Sequence, residues 1–185
     1  MSRREPSARY RHAAVGIGQT LLVWGGKGLE DSSIIERFDV VSTAWRDGRR
    51  LQGHLLPTGL HNMAITSDGE NGYVFGGRTS SGQRLDRLFA INLLTMDCVL
   101  LSPSPESSRP SARSSSAIIY DEGRLVSYGG NTGSGIVSDD LHVFDLEKSM
   151  TVVTMSYCCK HQSILNTASL LGSGCGQCVQ CSSSC

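Results

Sequence analysis

Four cysteines near the C-terminal end have the spacing most suggestive of chemistry. Cys175, Cys178, Cys181 and Cys185 read C-x2-C-x2-C-x3-C, the run with which bacterial ferredoxins hold an iron–sulfur cluster. Thiolates so spaced also suit zinc. Their flanks argue the other way. Gly, Ser and Gln surround them, with no apolar segment to shield a cluster and no second cysteine run. The stretch reads as a low-complexity tail, and no metal or cofactor is expected. Six of the seven cysteines lie after residue 157, so they supply no disulfide framework for the body of the chain.

Other chemistries find less support. There is no G-x-S-x-G elbow, and His12, His54, His61 and His142 fall on unrelated segments, so no nucleophile has an evident base. "GIGQTL" (16–21) starts like a phosphate loop but lacks the third glycine. Within "SPSPESSRPSARSSS" (102–116), Ser102 and Ser104 each precede a proline. That composition suits a loop between units, with phosphorylation as its functional alternative. Catalysis is not expected.

Bulk properties narrow the class further. The formal net charge is 0, which gives no general pull toward nucleic acid or an anionic membrane. The apolar runs are too short to span a bilayer. The basic start "MSRREPSARYRH" has no apolar stretch behind it, so no secretory leader is expected, and a cytoplasmic or nuclear location is. Glycine is abundant, 21 of 185 residues, as suits a turn-rich β chain.

The elements that must position any site come from an internal repeat. Double glycines stand at Gly25-Gly26, Gly76-Gly77 and Gly129-Gly130, and a proline (Pro6, Pro57, Pro110) precedes each by nineteen residues. The first and third units share "PSAR". Strand-like runs "IERFDV", "LFAINL" and "LHVFDL" follow, and their Asp39, Asn92 and Asp145 are 53 and 53 residues apart. Three landmarks recurring in order define three units, 6–56, 57–109 and 110–155. Residues 1–5 and the Cys/Ser/Gly-rich segment 156–185 are expected to be disordered.

Each unit reads as four short antiparallel strands. "SDGEN" (67–71) and "DEG" (121–123) supply hairpin turns, and helical periodicity is nearly absent. Four strands at a period near fifty predict blades of an all-β propeller, here partial, with about three blades. The paired glycines are predicted to let the next blade's backbone or side chains approach closely.

These landmarks resemble kelch repeats. The first unit carries Trp24-Gly25-Gly26, Phe38-Asp39-Val40 and Trp45; the second has Phe75-Gly76-Gly77, Asn92 for the Asp and Cys98 for the Trp; the third has Tyr128-Gly129-Gly130, Phe144-Asp145-Leu146 and Thr151. The resemblance covers about residues 6–155. It implies a non-catalytic module that binds other proteins, through a peptide or acidic motif, and more narrowly substrate recruitment to a cullin-type ubiquitin ligase. A kelch-superfamily oxidase or isomerase, or an inactive fragment, is the alternative. By similarity, the partner face takes Lys27, Arg78 and Asn131 from the loops after the double glycines. Arg9, Arg113 and His61 come from the loops entering the first strands. Kelch propellers usually have six or seven blades, so exposed blade faces and self-association are also expected.

Overall fold

A computed structural model of the chain describes residues 5–28, 33–52, 59–101, 109–133 and 135–147, with the backbone of 151–156 and 165–167. Blade one comprises β1 (Arg9–Tyr10), β2 (Ala13–Ile17), β3 (Thr20–Trp24), β4 (Lys27–Gly28), β5 (Ile34–Asp39) and β6 (Ala44–Arg50). Blade two holds β7 (Ala64–Ser67), β8 (Asn71–Phe75), β9 (Leu88–Asn92) and β10 (Cys98–Leu101). Blade three holds β11 (Ala117–Asp121), β12 (Arg124–Tyr128), β13 (Asn131–Gly133), β14 (Ile136–Val137), β15 (Leu141–Asp145), β16 (Thr151–Ser156) and β17 (Leu165–Thr167). The main sheets run in the orders β2-β3-β5-β6, β7-β8-β9-β10 and β11-β12-β15-β16-β17, every pairing antiparallel. The fold is all-β, an open kelch-type propeller among the described residues, and none of them forms a helix able to cross a membrane.

One expectation changes here. The segment after 155, read as disordered, contributes β17, which pairs with β16 as Thr154↔Thr167 and Ser156↔Leu165. The four tail cysteines lie outside the described residues.

Strand side chains alternate between faces, and blade two spends both of its faces on its neighbours. Ala13, Leu22, Trp24 and Ile35 of blade one pack on Leu60, Met63, Val74, Phe89 and Ile91 of blade two. Blade two then turns Ala64, Tyr73, Phe75 and Leu88 toward Ile118, Leu125 and Phe144 of blade three. The Phe75 and Phe144 rings meet edge to face at 5.2 Å, and Tyr73 stacks on Tyr120 at 6.0 Å. Each fully buried aromatic or aliphatic side chain contributes about 1.5–3 kcal/mol. The blades therefore hold one another rather than standing alone.

The double glycines do what their spacing predicts, and more. All six have positive φ, from 65° to 104°, a region costly for any residue with a Cβ. A Cβ on Gly25 would stand 2.5 Å from the Leu60 carbonyl oxygen, and one on Gly76 would stand 2.6 Å from that of Arg113. The second glycine of the first two pairs donates its N–H to the same oxygen, Gly26 to Leu60 at 3.0 Å and Gly77 to Arg113 at 2.9 Å. A second inter-blade bond accompanies each clasp. Asn62 donates its N–H to the Arg11 carbonyl and Ser115 to the Asn62 carbonyl, at 2.9 and 2.7 Å. Arg11, Asn62 and Ser115 share positive φ of 54° to 59°, a repeated backbone feature carried by three unlike residues.

The Asp/Asn landmark closes the turn after the third main strand. Asp39 accepts from Ser42 N–H at 2.8 Å, Asn92 from Leu94 and Thr95 N–H at 3.0 and 2.9 Å, and Asp145 from Glu147 N–H at 3.1 Å. A side-chain oxygen two or three residues back is what such a turn requires, so Asn92 serves where the other blades use Asp. The hydrogen bonds from the Ser42 backbone and from Arg46 hold Asp39 down to a pKa of about 2. Trp45 packs edge to face on Phe38 of its own blade at 5.2 Å. Its counterpart Cys98 is buried, and burial pushes that thiol up to about 11, which removes it as a nucleophile.

Candidate functional site

A short ladder in each blade joins the two loop groups that the resemblance singles out. Tyr10 pairs with Lys27, His61 with Arg78 and Ser114 with Asn131. The last two pairs exchange both backbone bonds, at 2.9 and 2.8 Å and at 3.0 and 2.7 Å. Lead-in and post-glycine residues of successive blades therefore share one face. Within that face their roles divide.

Arg9, Arg113 and His61 belong to the scaffold. Arg113 is 0% exposed. Its Nε donates to the Ser111 carbonyl at 3.0 Å, Nη1 to the Gly129 carbonyl at 2.9 Å and Nη2 to Ser111 Oγ at 3.0 Å, with Asp140 at 3.8 Å. Burial lowers its pKa and the Asp140 charge opposes that shift. Arg9 repeats the arrangement, donating to the Gly25 carbonyl at 3.3 Å and meeting Glu36 at 3.4 Å, with its side chain 8% exposed. The shared "PSAR" thus places a guanidinium over the carbonyl of the first glycine of the first and third pairs. Left unpaired, such a buried oxygen would cost about 1–3 kcal/mol. His61 is buried, with Nδ1 3.0 Å from the Gly59 carbonyl. The expectation that these three present themselves to a partner is corrected on this geometry: each is enclosed and engaged within its own blade.

Lys27, Arg78 and Asn131 lie further out. Lys27 is exposed, and Arg78 is half-buried with Nε donating to the Gly82 carbonyl at 2.8 Å. Asn131 Oδ1 accepts from Arg84 Nη2 at 2.8 Å and from Gly133 N–H at 3.1 Å. Arg84 therefore bridges blades two and three, a role the sequence did not disclose. Its Nε is buried without a hydrogen-bond partner among the described residues. It lines an open groove of about 490 Å³ together with Thr79, Ser81, Gln83, Asp86 and Arg87. Tyr10 and Arg11 were also missed; the Arg11 guanidinium lies 5.6 Å from the centre of the exposed Tyr10 ring. Arg84 sits in the variable stretch after Gly76-Gly77, where no repeated landmark marks it.

The resulting face offers cationic donors, an exposed aromatic and a polar groove. Among the described residues no group of three or more His, Cys, Asp or Glu could hold a metal ion. Below the face, burial lowers the His142 pKa to about 4; the Arg113 charge acts in the same direction and Asp140 opposes it. The chemistry available is recognition of carboxylates and backbone amides.

Antiparallel four-stranded blades clasped through paired glycines define a kelch-type propeller module. A sequence profile of the KLHDC2/KLHL20/DRC7 Kelch-repeats domain matches residues 1–154, and the chain belongs to that family. Dynein regulatory complex subunit 7 of Chlamydomonas reinhardtii is 28% identical to it over 135 residues, which are 69% of this chain and 11% of that protein. The chain therefore spans a small part of that relative's length. Membership supports a protein-interaction module.

Proposed function

We propose that the module binds an acidic peptide segment of a partner protein on the face carrying Lys27, Arg78, Arg84 and Asn131. The observation that carries this reading is Arg84. Its Nη2 is fixed by Asn131, and its side chain lines an open polar groove. A carboxylate suits such a groove, because an oriented guanidinium binds it through charge-assisted hydrogen bonds. Arg78 and Lys27, held on the same face by the ladder, add charge that speeds encounter. Arg9 and Arg113 are left out, since their donors are spent on the glycine carbonyls.

The curated relative is by name a subunit of a regulatory complex, which favours recognition over catalysis. Substrate recruitment to a ubiquitin ligase is the narrower form of this reading, and co-purification of an adaptor subunit would support it. The test of the face itself uses arrayed peptides containing paired Glu or Asp, each beside its Gln or Asn counterpart. Selective retention of the acidic members, weakened by salt, supports the reading. Equal retention of both series overturns it.

A further inference from the structure

The face of blade three turned away from blade two is exposed where its predecessors are buried. The residue before the glycine pair is 2% exposed at Trp24 and 0% at Phe75, but 53% at Tyr128. Two cross-strand rows build this outer face, Ala117–Tyr128–Leu141 and Ile119–Val126–Val143. They occupy the register positions with which blade one covers blade two and blade two covers blade three. Exposed apolar faces of this kind mark interaction surfaces.

Blade one has the opposite surface. Leu21, Phe38 and Trp45 form a row across β3, β5 and β6, and all three are partly exposed. The same positions in the later blades, Ile91 and Cys98, then Leu125 and Phe144, are buried against a preceding blade. The backbone fittings correspond too. Each established junction uses one N–H from the second glycine and one C=O from the positive-φ residue of the earlier blade. The later blade answers with the C=O two residues before its own positive-φ residue and with that residue's N–H. Blade three brings Gly130 N–H and the Ser115 carbonyl to its outer side; blade one brings the Arg9 carbonyl and Arg11 N–H.

We infer that two copies of this 185-residue chain join head to tail, blade three of each against blade one of the other. The three blades among the described residues of each copy make a ring of six, within the four to eight that propellers use. The contact continues the blade-to-blade interface already present twice in each copy. Each copy supplies one outer face of each kind, so the two-fold arrangement closes and leaves none to propagate.

Sedimentation of the full chain from 1 to 100 µM, concentrations chosen on the order of ordinary homodimer affinities, tests this directly. The expected species is a dimer of two 19.9 kDa chains. Tyr128→Glu alone and Trp45→Glu alone should each sediment as folded monomers, shown by unchanged circular dichroism. An equimolar mixture of the two should recover a dimer, because one intact contact remains. A separate reading uses Trp24→Phe, which leaves Trp45 the sole tryptophan; its emission should shift to the blue and resist acrylamide as concentration rises. A monomer at all concentrations, an open polymer, Trp45 emission independent of concentration, or a mixture that stays monomeric would each overturn the inference.

Discussion

Gly76 lies directly beneath the carbonyl of Arg113. A Cβ on Gly76 would stand 2.6 Å from that oxygen, while Gly77 donates its N–H to the same atom at 2.9 Å. One blade is thereby clasped to the next through backbone alone, and the paired glycines are what make the approach possible.

Gly76→Ala therefore carries two costs, the left-handed backbone at φ 65° and the collision with a backbone oxygen. Gly129 shares the first cost at φ 70°, but its Cβ would meet only the Ser138 oxygen, at 3.2 Å. Urea unfolding should show Gly129→Ala destabilised by about 1–2 kcal/mol, the backbone term alone, and Gly76→Ala by clearly more. Equal losses would mean that the clasp carries no steric demand.

Arg113 and Arg78 should separate scaffold from surface. Removing Arg113 leaves the Gly129 carbonyl and both Ser111 acceptors without their buried donor, so Arg113→Met should cost about 2–4 kcal/mol. Arg78→Ala removes a half-buried side chain whose Nε donates to the Gly82 carbonyl and should stay near 0.5 kcal/mol. Thermal unfolding of the two variants checks the contrast.

The glycine pairs and the Asp/Asn landmark were legible because each answers a fixed backbone demand: positive φ or a turn oxygen. The inward arginines were not. "PSAR" looks like a solvated loop charge until the Gly25 and Gly129 carbonyls are seen facing it. The positive-φ triad Arg11, Asn62 and Ser115 was equally hidden, since only Asn favours that conformation and the three share no chemistry. Arg84 lies in a stretch without a repeat, so its bridge to Asn131 had no sequence signal.

His142 should make the fold acid-sensitive. Its folded pKa of about 4 lies below the ordinary histidine value of 6.5, so the unfolded chain binds the proton more readily than the folded one. Stability is complete above pH 6.5, falls as pH drops toward 4 and levels off below that. The loss is on the order of 2–3 kcal/mol. Blade two has Phe89 at this position, so His142→Phe is the apt control. Urea midpoints measured from pH 7.5 to 4 should slope downward for the natural chain and flatten over that window in the variant.

Partner capture should depend on charge at the loop face. Arg84→Ala, and Arg84→Gln as the gentler change, should weaken acidic-peptide binding about tenfold or more, the loss of one charge-assisted pair of roughly 1.5–3 kcal/mol. Lys27→Ala should act mainly on the association rate and its salt dependence. Stopped-flow fluorescence separates the two effects.

The most direct measurement titrates a retained acidic peptide into the natural chain, Arg84→Gln and Arg78→Ala, with thermal unfolding of each beside it. Affinity should fall about tenfold or more in Arg84→Gln and measurably in Arg78→Ala, while both variants stay folded and Arg84→Gln loses only the modest stability of its bond to Asn131. Undiminished affinity in both variants, with the fold intact, would contradict recognition at this face.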